Sequence, residues 1–209
     1  MFLRMRAGLV AAASVLVFLA VSSAPASANP LSLLFTGCAG QSESQVFAPW
    51  GDLAEYTPAP GGNFEPGGAA WALTGGAQVV SGNETFNVAG GSHSLSLPAG
   101  STATSPRQCT SISHPSVRFF VRNTGAPTSQ LRVQALYPGL LGGTSVDSLG
   151  TITASSQWSP SPANMSVLAA NLLATLSLDS TTIAFRFIPV DSTGNWSIDD
   201  VYLDPYGKA

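Results

Sequence analysis

The sequence predicts an all-β fold, an antiparallel β-sandwich, and three observations carry the prediction. Short runs rich in Val, Ile, Thr, Phe, Trp and Leu recur along most of the chain, each bounded by Gly, Pro, Asn or Ser. Several of them alternate apolar and polar residues with the period of two that a half-buried strand requires. Glycine and proline are plentiful, 21 and 15 among 209 residues, and supply the turns that many short strands need.

Taken in order, the chain begins with a leader. Arg4 and Arg6 precede an apolar run over 7–20, and the small residues Ala26, Ser27 and Ala28 follow. This predicts a secretory signal peptide over 1–28, cut after Ala28, and hence a secreted, extracellular protein. The run is too short for a membrane anchor, and no later run reaches spanning length. Removing it leaves 209 − 28 = 181 residues, enough for one domain with a sizeable core. It leaves 8 − 2 = 6 basic residues against 11 acidic ones, a net charge of −5. That balance excludes nucleic acid and anionic membrane surfaces as partners. Two cysteines, Cys38 and Cys109, predict one disulfide in an oxidising compartment. Closing so long a loop stabilises a fold by roughly 4 kcal/mol on the chain-entropy model.

Residues 29–62 read as an N-terminal arm and 63–209 as the sandwich domain. In the arm, Val46, Phe47 and Trp50 beside Pro49 and Gly51 form an irregular apolar stretch that should pack down, and "TPAPGGN" reads as a turn. Strands are then predicted in "WALTG", "AQVVSG", "ETFNVA", "HSLSLP", "SVRFFVRN", "QLRVQALY", "VDSLGTITA", "TIAFRFIPV" and "WSIDDVYL". One stretch breaks the rhythm: Leu168, Leu172 and Leu176 stand at helical spacing, so a short amphipathic helix is expected over 163–177.

Alternation assigns the faces. Val117, Phe119 and Val121 oppose Arg118, Phe120 and Arg122; Leu131, Val133, Ala135 and Tyr137 oppose Arg132, Gln134 and Leu136; Ile183, Phe185 and Phe187 oppose Ala184, Arg186 and Ile188. One sheet with an apolar inner side and an arginine-bearing outer side is the expectation. In "WSIDDVYL", Ile198 and the pair Val201 and Leu203 can all face the core only if one extra residue is inserted at Asp199–Asp200, which predicts a β-bulge. A carboxylate turned inward there calls for a cation or an arginine.

Three stretches carry a family resemblance: "GNFEPGGAAWALTGGAQVV" over 62–80, "SHSLSL" over 92–97 and "WSIDDVYLDP" over 196–205. Together they resemble the jelly-roll (galactose-binding-like) carbohydrate-binding modules appended to secreted bacterial polysaccharide hydrolases. "SQVFAPWGD" also resembles the arm of other exported bacterial proteins. The resemblance implies a structural Ca2+ tying the first strand to the last, with Glu65 and Asp200 or Asp199 as ligands; calcium's preference for six to eight oxygens suits such a site. The alternative leaves Glu65 and Asp199 as solvated strand ends and pairs Asp200 with an arginine. The resemblance also implies a polysaccharide or glycan partner. This chain departs from such modules in lacking an obvious row of exposed Trp or Tyr. Trp158 lies near a loop, Phe120 stands on the arginine-bearing face, and Trp71 and Trp196 occupy packing positions. Binding would then use Arg118, Phe120, Arg122, Arg132, Gln134, Arg186 and Trp158, guanidinium forks suiting carboxylate-bearing sugars. Cross-strand pairing of these arginines with the few acids is the competing reading.

Catalytic signatures are missing. No Gly-x-Ser-x-Gly, His-Glu-x-x-His, Cys-x-x-Cys or phosphate-loop pattern occurs. Ser92 and His93 are adjacent in a strand-like run and so point apart, and Glu43, Glu55, Glu65 and Glu84 form no sharp glycosidase motif. The function expected is non-catalytic glycan binding. The alternatives are an adhesive or structural cell-envelope protein with no sugar site, and a glycoside hydrolase with unrecognised carboxylates.

Overall fold

The computed structural model describes residue 38, residues 41–65, 71–110, 116–139 and 141–163, residue 165 and residues 181–204. The predicted signal peptide and most of the predicted helix over 163–177 lie outside the described residues. Among the described residues no helix is long and apolar enough to cross a membrane.

The protein is an all-β sandwich of jelly-roll type built from two antiparallel six-stranded sheets. Sheet one runs β10 (Ser159–Pro160), β7 (Ser116–Asn123), β12 (Asn195–Asp204), β4 (His93–Pro98), β3 (Gln78–Ser81), with β1 (Thr57–Pro58) on the far end of β12. Sheet two runs β2 (Ala72–Thr74), β5 (Thr102–Thr104), β11 (Thr181–Pro189), β8 (Leu131–Pro138), β9 (Thr144–Ile152), with β6 (Gln108–Thr110) on the start of β11. The gap between β5 and β6 is closed by Ser105, whose N–H donates to Phe185 O at 2.8 Å and whose Oγ accepts from Phe185 N at 2.9 Å.

The inner faces meet as the alternation requires. Val117, Phe119 and Val121 of β7 and Trp196, Ile198, Val201 and Leu203 of β12 pack against Leu131, Val133 and Ala135 of β8 and Ile183, Phe185 and Phe187 of β11. Phe119 meets Phe187 edge to face at 5.0 Å, and Phe64 and Trp71 close the end at 5.0 Å from each other. Burying a side chain of this size stabilises by about 1.5–3 kcal/mol, so these rings dominate the core. Trp71 and Trp196 are packing residues, as their positions predict.

Three features differ from the sequence-based expectation. The arginine-bearing strands do not share a sheet: β7 lies in sheet one, β8 and β11 in sheet two, so their outer faces look out on opposite sides of the sandwich. Period-two alternation tells inside from outside but not which neighbour a strand takes. The run "ETFNVA" is no strand. Glu84 curls it, its Oε2 accepting from Phe86 N and its Oε1 from Val88 N at 2.5 Å, with Asn87 at φ 55°. The "TPAPGGN" turn begins with β1, whose Thr57 and Pro58 pair with Leu203 and Tyr202.

The disulfide joins Cys38 to Cys109 of β6, with Cα atoms 5.6 Å apart. The bulge also stands where two colliding apolar sets predict it: the β12–β7 register shifts between Asp199 and Tyr202, and Asp200 sits at φ 47°.

Candidate functional site

The outer face of sheet one is closed. Arg118, Phe120 and Arg122 of β7 point outward beside Asp199 and Tyr202 of β12. The arm folds over them as an aromatic plug. Phe47 stacks on Phe120 at 5.3 Å and meets Tyr56 and Tyr202 edge to face at 4.8 and 5.8 Å. Trp50 adds edge contacts with Phe86 at 4.8 Å and with Phe120 at 5.1 Å, and Phe86 lies tilted against Phe120 at 5.5 Å.

Arg118 is the polar anchor of the plug. Its guanidinium lies 4.2 Å over the Phe47 ring, its Nη1 pairs with Asp52 Oδ2, and its Nη2 donates to Ser161 O at 3.0 Å. Asp52 also accepts from the Tyr56 hydroxyl at 2.6 Å. Both members of the ion pair are buried. Breaking such a pair by removing one partner costs about 3–5 kcal/mol, because the other charge is left unpaired in the interior. Arg122 lies 4.8 Å over the Trp158 ring, itself buried. Arg118, Phe120 and Trp158, predicted as ligand-binding residues, therefore lie buried under the arm and its neighbours, and Arg122 is stacked beside them. That is a correction to the expected site: these side chains are consumed inside the fold.

The outer face of sheet two is closed only in part: Ala184 and Leu136, paired across β11 and β8, are buried on it, while the neighbouring rows carry half-buried polar side chains. Register places Thr104, Arg186, Gln134 and Ser148 side by side across β5, β11, β8 and β9, with Ile188, Arg132 and Thr151 in the row beyond. Arg132, Gln134 and Arg186 are half-buried. Among the described residues Arg186 makes one long bond, Nε to Thr104 Oγ1 at 3.4 Å. Of the predicted ligand-binding set, the structure brings these three together and sets the other four on the opposite side.

The opening of β12 explains its acids. Asp199 Oδ2 accepts from Glu84 N at 3.0 Å and its Oδ1 from Asp200 N at 2.9 Å; Asp200 Oδ2 accepts from Ala89 N at 3.1 Å. The Asn83 amide, turned to donate, reaches Asp199 Oδ2 at 2.7 Å and His93 O at 3.0 Å. The bulge thus aims two carboxylates at the two ends of the 84–89 turn, while Glu84 caps its interior. Sequence reasoning missed Glu84 in this role, since a strand-like run hides a carboxylate that binds its own turn. Burial pushes Asp199 up to about 8 and Asp200 up to about 6, neighbouring carboxylate charge adding to both shifts.

The predicted metal ligands are only partly free. Glu65 accepts from Ser92 N at 2.6 Å and from His93 Nδ1 at 2.9 Å, and these bonds hold its carboxyl below the usual range. Asp199 is engaged as above. Asp200 Oδ1 alone is buried without a partner. It belongs to the lining of a cavity of about 460 Å³ shared with Ser42, Ser44, Pro60, Asn63 and Tyr202. Among the described residues no three His, Cys, Asp or Glu side chains gather as a metal centre.

Acid–base chemistry finds little support. Against the expectation that adjacent residues point apart, the Ser92 hydroxyl lies 3.1 Å from His93 Nδ1; Glu65 meets the same nitrogen, so the three do not form a relay. Glu84 is spent on its turn. Glu43 and Glu55 are exposed neighbours on the arm, where burial and then the hydrogen bond and charge of Glu55 raise Glu43.

No family model matches the sequence, and no curated protein matches it. Solved structures do. The fold is similar to the CBM22-1–GH10 modules of a Clostridium thermocellum N-terminal endo-1,4-beta-D-xylanase complexed with xylohexaose. Identity is 13% and TM-score 0.45, over 69% of this chain and 28% of that one, so the chain spans less than a third of its length. It is similar to a xylan-binding domain of carbohydrate-binding family 22, at 18% identity and TM-score 0.43, over 70% of this chain and 94% of that one. A family 11 carbohydrate-binding module from Clostridium thermocellum, in complex with a beta-1,3-1,4-mixed-linked tetrasaccharide, matches at 13% identity and TM-score 0.41, over 70% and 95%.

Proposed function

We propose that the protein is an exported, non-catalytic glycan-binding protein whose site is the outer face of sheet two. One observation carries this reading. Of two outer faces, one is plugged by the chain's own aromatic residues, while the other presents Arg132, Gln134 and Arg186 in register, half-buried and with no ion pair among the described residues. A broad sheet face of hydroxyl, amide and guanidinium donors suits a polymer of hydroxyl-rich rings laid across the strands. The xylan, xylohexaose and beta-1,3-1,4-mixed-linked tetrasaccharide ligands of the similar modules belong to those proteins, and the reading rests on this chain's own face. Incubation of the mature protein with insoluble polysaccharides, or with a glycan array, tests it. Retention lost in an Arg132→Ala, Arg186→Ala double variant supports the face. Absence of retention on every neutral and acidic glycan leaves the adhesive or structural envelope reading in its place.

A structural calcium ion belongs to the same proposal in reduced form. Asp200 Oδ1 is the carboxylate oxygen free to hold it, whereas Glu65 and Asp199 would each have to release backbone N–H groups. Melting temperature compared with calcium and with chelator tests this. A rise with calcium that vanishes in Asp200→Asn supports the ion, and an unchanged melting point in both proteins removes it.

A further inference from the structure

Among the described residues, the outer face of sheet two carries charge of one sign. Arg132 and Arg186 stand on it, and Arg107, exposed in the β5–β6 turn, reaches its end, where Nη2 donates to Thr144 Oγ1 at 3.4 Å. Among the described residues, register places no Asp or Glu on this face; its other members are Thr, Ser, Gln and small or aliphatic residues. The nearest acid, Asp147, pairs with Ala135 and so points to the inner side, where it accepts from the Tyr137 hydroxyl at 2.5 Å. The chain holds 11 acids against eight bases, yet none of them answers these guanidiniums with an ion pair among the described residues. Sheet one behaves differently, since its Arg118 has Asp52.

The face also lacks an aromatic ring among the described residues. A neutral pyranose bound there would have no platform to stack on, so most of the affinity has to come from charge-assisted hydrogen bonds. A guanidinium fork holds a carboxylate through two parallel N–H bonds. Arg186 pairs in register with Gln134, and Arg132 lies two residues before Gln134 on the same strand. That makes the two arginines diagonal neighbours, about 7–8 Å apart. Two forks so spaced can hold two carboxylates of one chain.

Resting on the glycan reading above, we propose that this face binds a polyuronate, a polysaccharide whose sugars carry carboxylates, with Arg132 and Arg186 each clasping one carboxylate and Arg107 extending the positive margin. Sulfated polymers share the negative charge but not the planar two-oxygen geometry.

Affinity electrophoresis of the mature protein through gels containing polygalacturonate, carboxyl-reduced polygalacturonate, xylan or dextran sulfate separates the outcomes. The expected result is retardation by polygalacturonate that weakens on the order of tenfold or more when the carboxyls are reduced. Arg132→Gln and Arg186→Gln should each weaken it on the order of tenfold, while their Lys counterparts keep part of it, charge without the fork. Circular dichroism and melting temperature verify that the variants fold. Equal retardation by the carboxyl-reduced polymer or by xylan overturns the acidic ligand and leaves glycan binding standing. Dextran sulfate binding as tightly as polygalacturonate overturns the carboxylate clasp in favour of a general polyanion. No retardation by any polymer removes this proposal and the parent reading together.

Discussion

Sheet one and sheet two are built from the same kind of strand, yet their outer faces have opposite fates. On sheet one an arginine, Arg118, is buried at 5% exposure with a carboxylate, a ring and a carbonyl as neighbours. On sheet two Arg132 and Arg186 are half-buried, with no ion pair among the described residues. The difference is not in the strands. It lies in what the rest of the chain supplies: an arm bearing Phe47, Trp50, Asp52 and Tyr56 on one side, and nothing comparable among the described residues on the other. An arginine on a sheet is thus a folding element or a binding element according to its partners, and the residue type alone does not decide between them.

Substitution can break this comparison. The largest effect should come from Phe120→Ala, which removes the ring touched by Phe47, Trp50 and Phe86 and should destabilise by about 3–5 kcal/mol in denaturant unfolding. Arg118→Ala comes next. It strands Asp52 in the interior at a cost of about 3 kcal/mol or more, and a double variant with Asp52→Ala should recover part of the loss. Stability losses below about 0.5 kcal/mol in both would show that the arm does not hold the face. Arg132→Ala and Arg186→Ala belong at the other end of the scale, within about 0.5 kcal/mol of the parent, because no charged partner is left behind among the described residues.

The pH response sharpens the picture beneath sheet two. Burial first, then the hydrogen bond and charge of Asp147, push the Tyr137 phenol up to about 12. The fold keeps this proton longer than the unfolded chain, whose phenols titrate near 10. The stabilisation is therefore complete below about 10 and is lost as pH climbs through about 12. Phenolate absorbance, compared between the parent and Tyr137→Phe, should reveal one ionisation in that upper range; its appearance near 10 would contradict the buried bond. Tyr202, which lies beneath the arm, is also raised, so the two proteins must be compared by difference.

Much of the fold was legible because the residues that define it act locally. The alternation in β7, β8 and β11 names the inner face without reference to any partner, and the conflict between Ile198 and Val201 names the bulge. Even the disulfide follows from a count of two cysteines. What stayed hidden is non-local. Nothing in "SVRFFVRN" states that Arg118 will meet Asp52, 66 positions earlier, and not an open face. Likewise "ETFNVA" has the composition of a strand, and only the Glu84 carboxylate closing on Phe86 N and Val88 N defeats it. Two-residue strands such as β1 and β10 carry no period at all, since a pattern needs more residues than they possess. The candidate site was half legible for the same reason: its arginines could be recognised, but their division between two sides of the molecule is a property of pairing.

The route of the arm has a mechanical corollary. Its rings press on sheet one, while Cys38 is fastened to Cys109 of β6, a strand of sheet two. A segment clamped to both layers works as a strap around the sandwich. Pulling the layers apart then requires the strap to yield first, so a surface load on one layer is shared by the other.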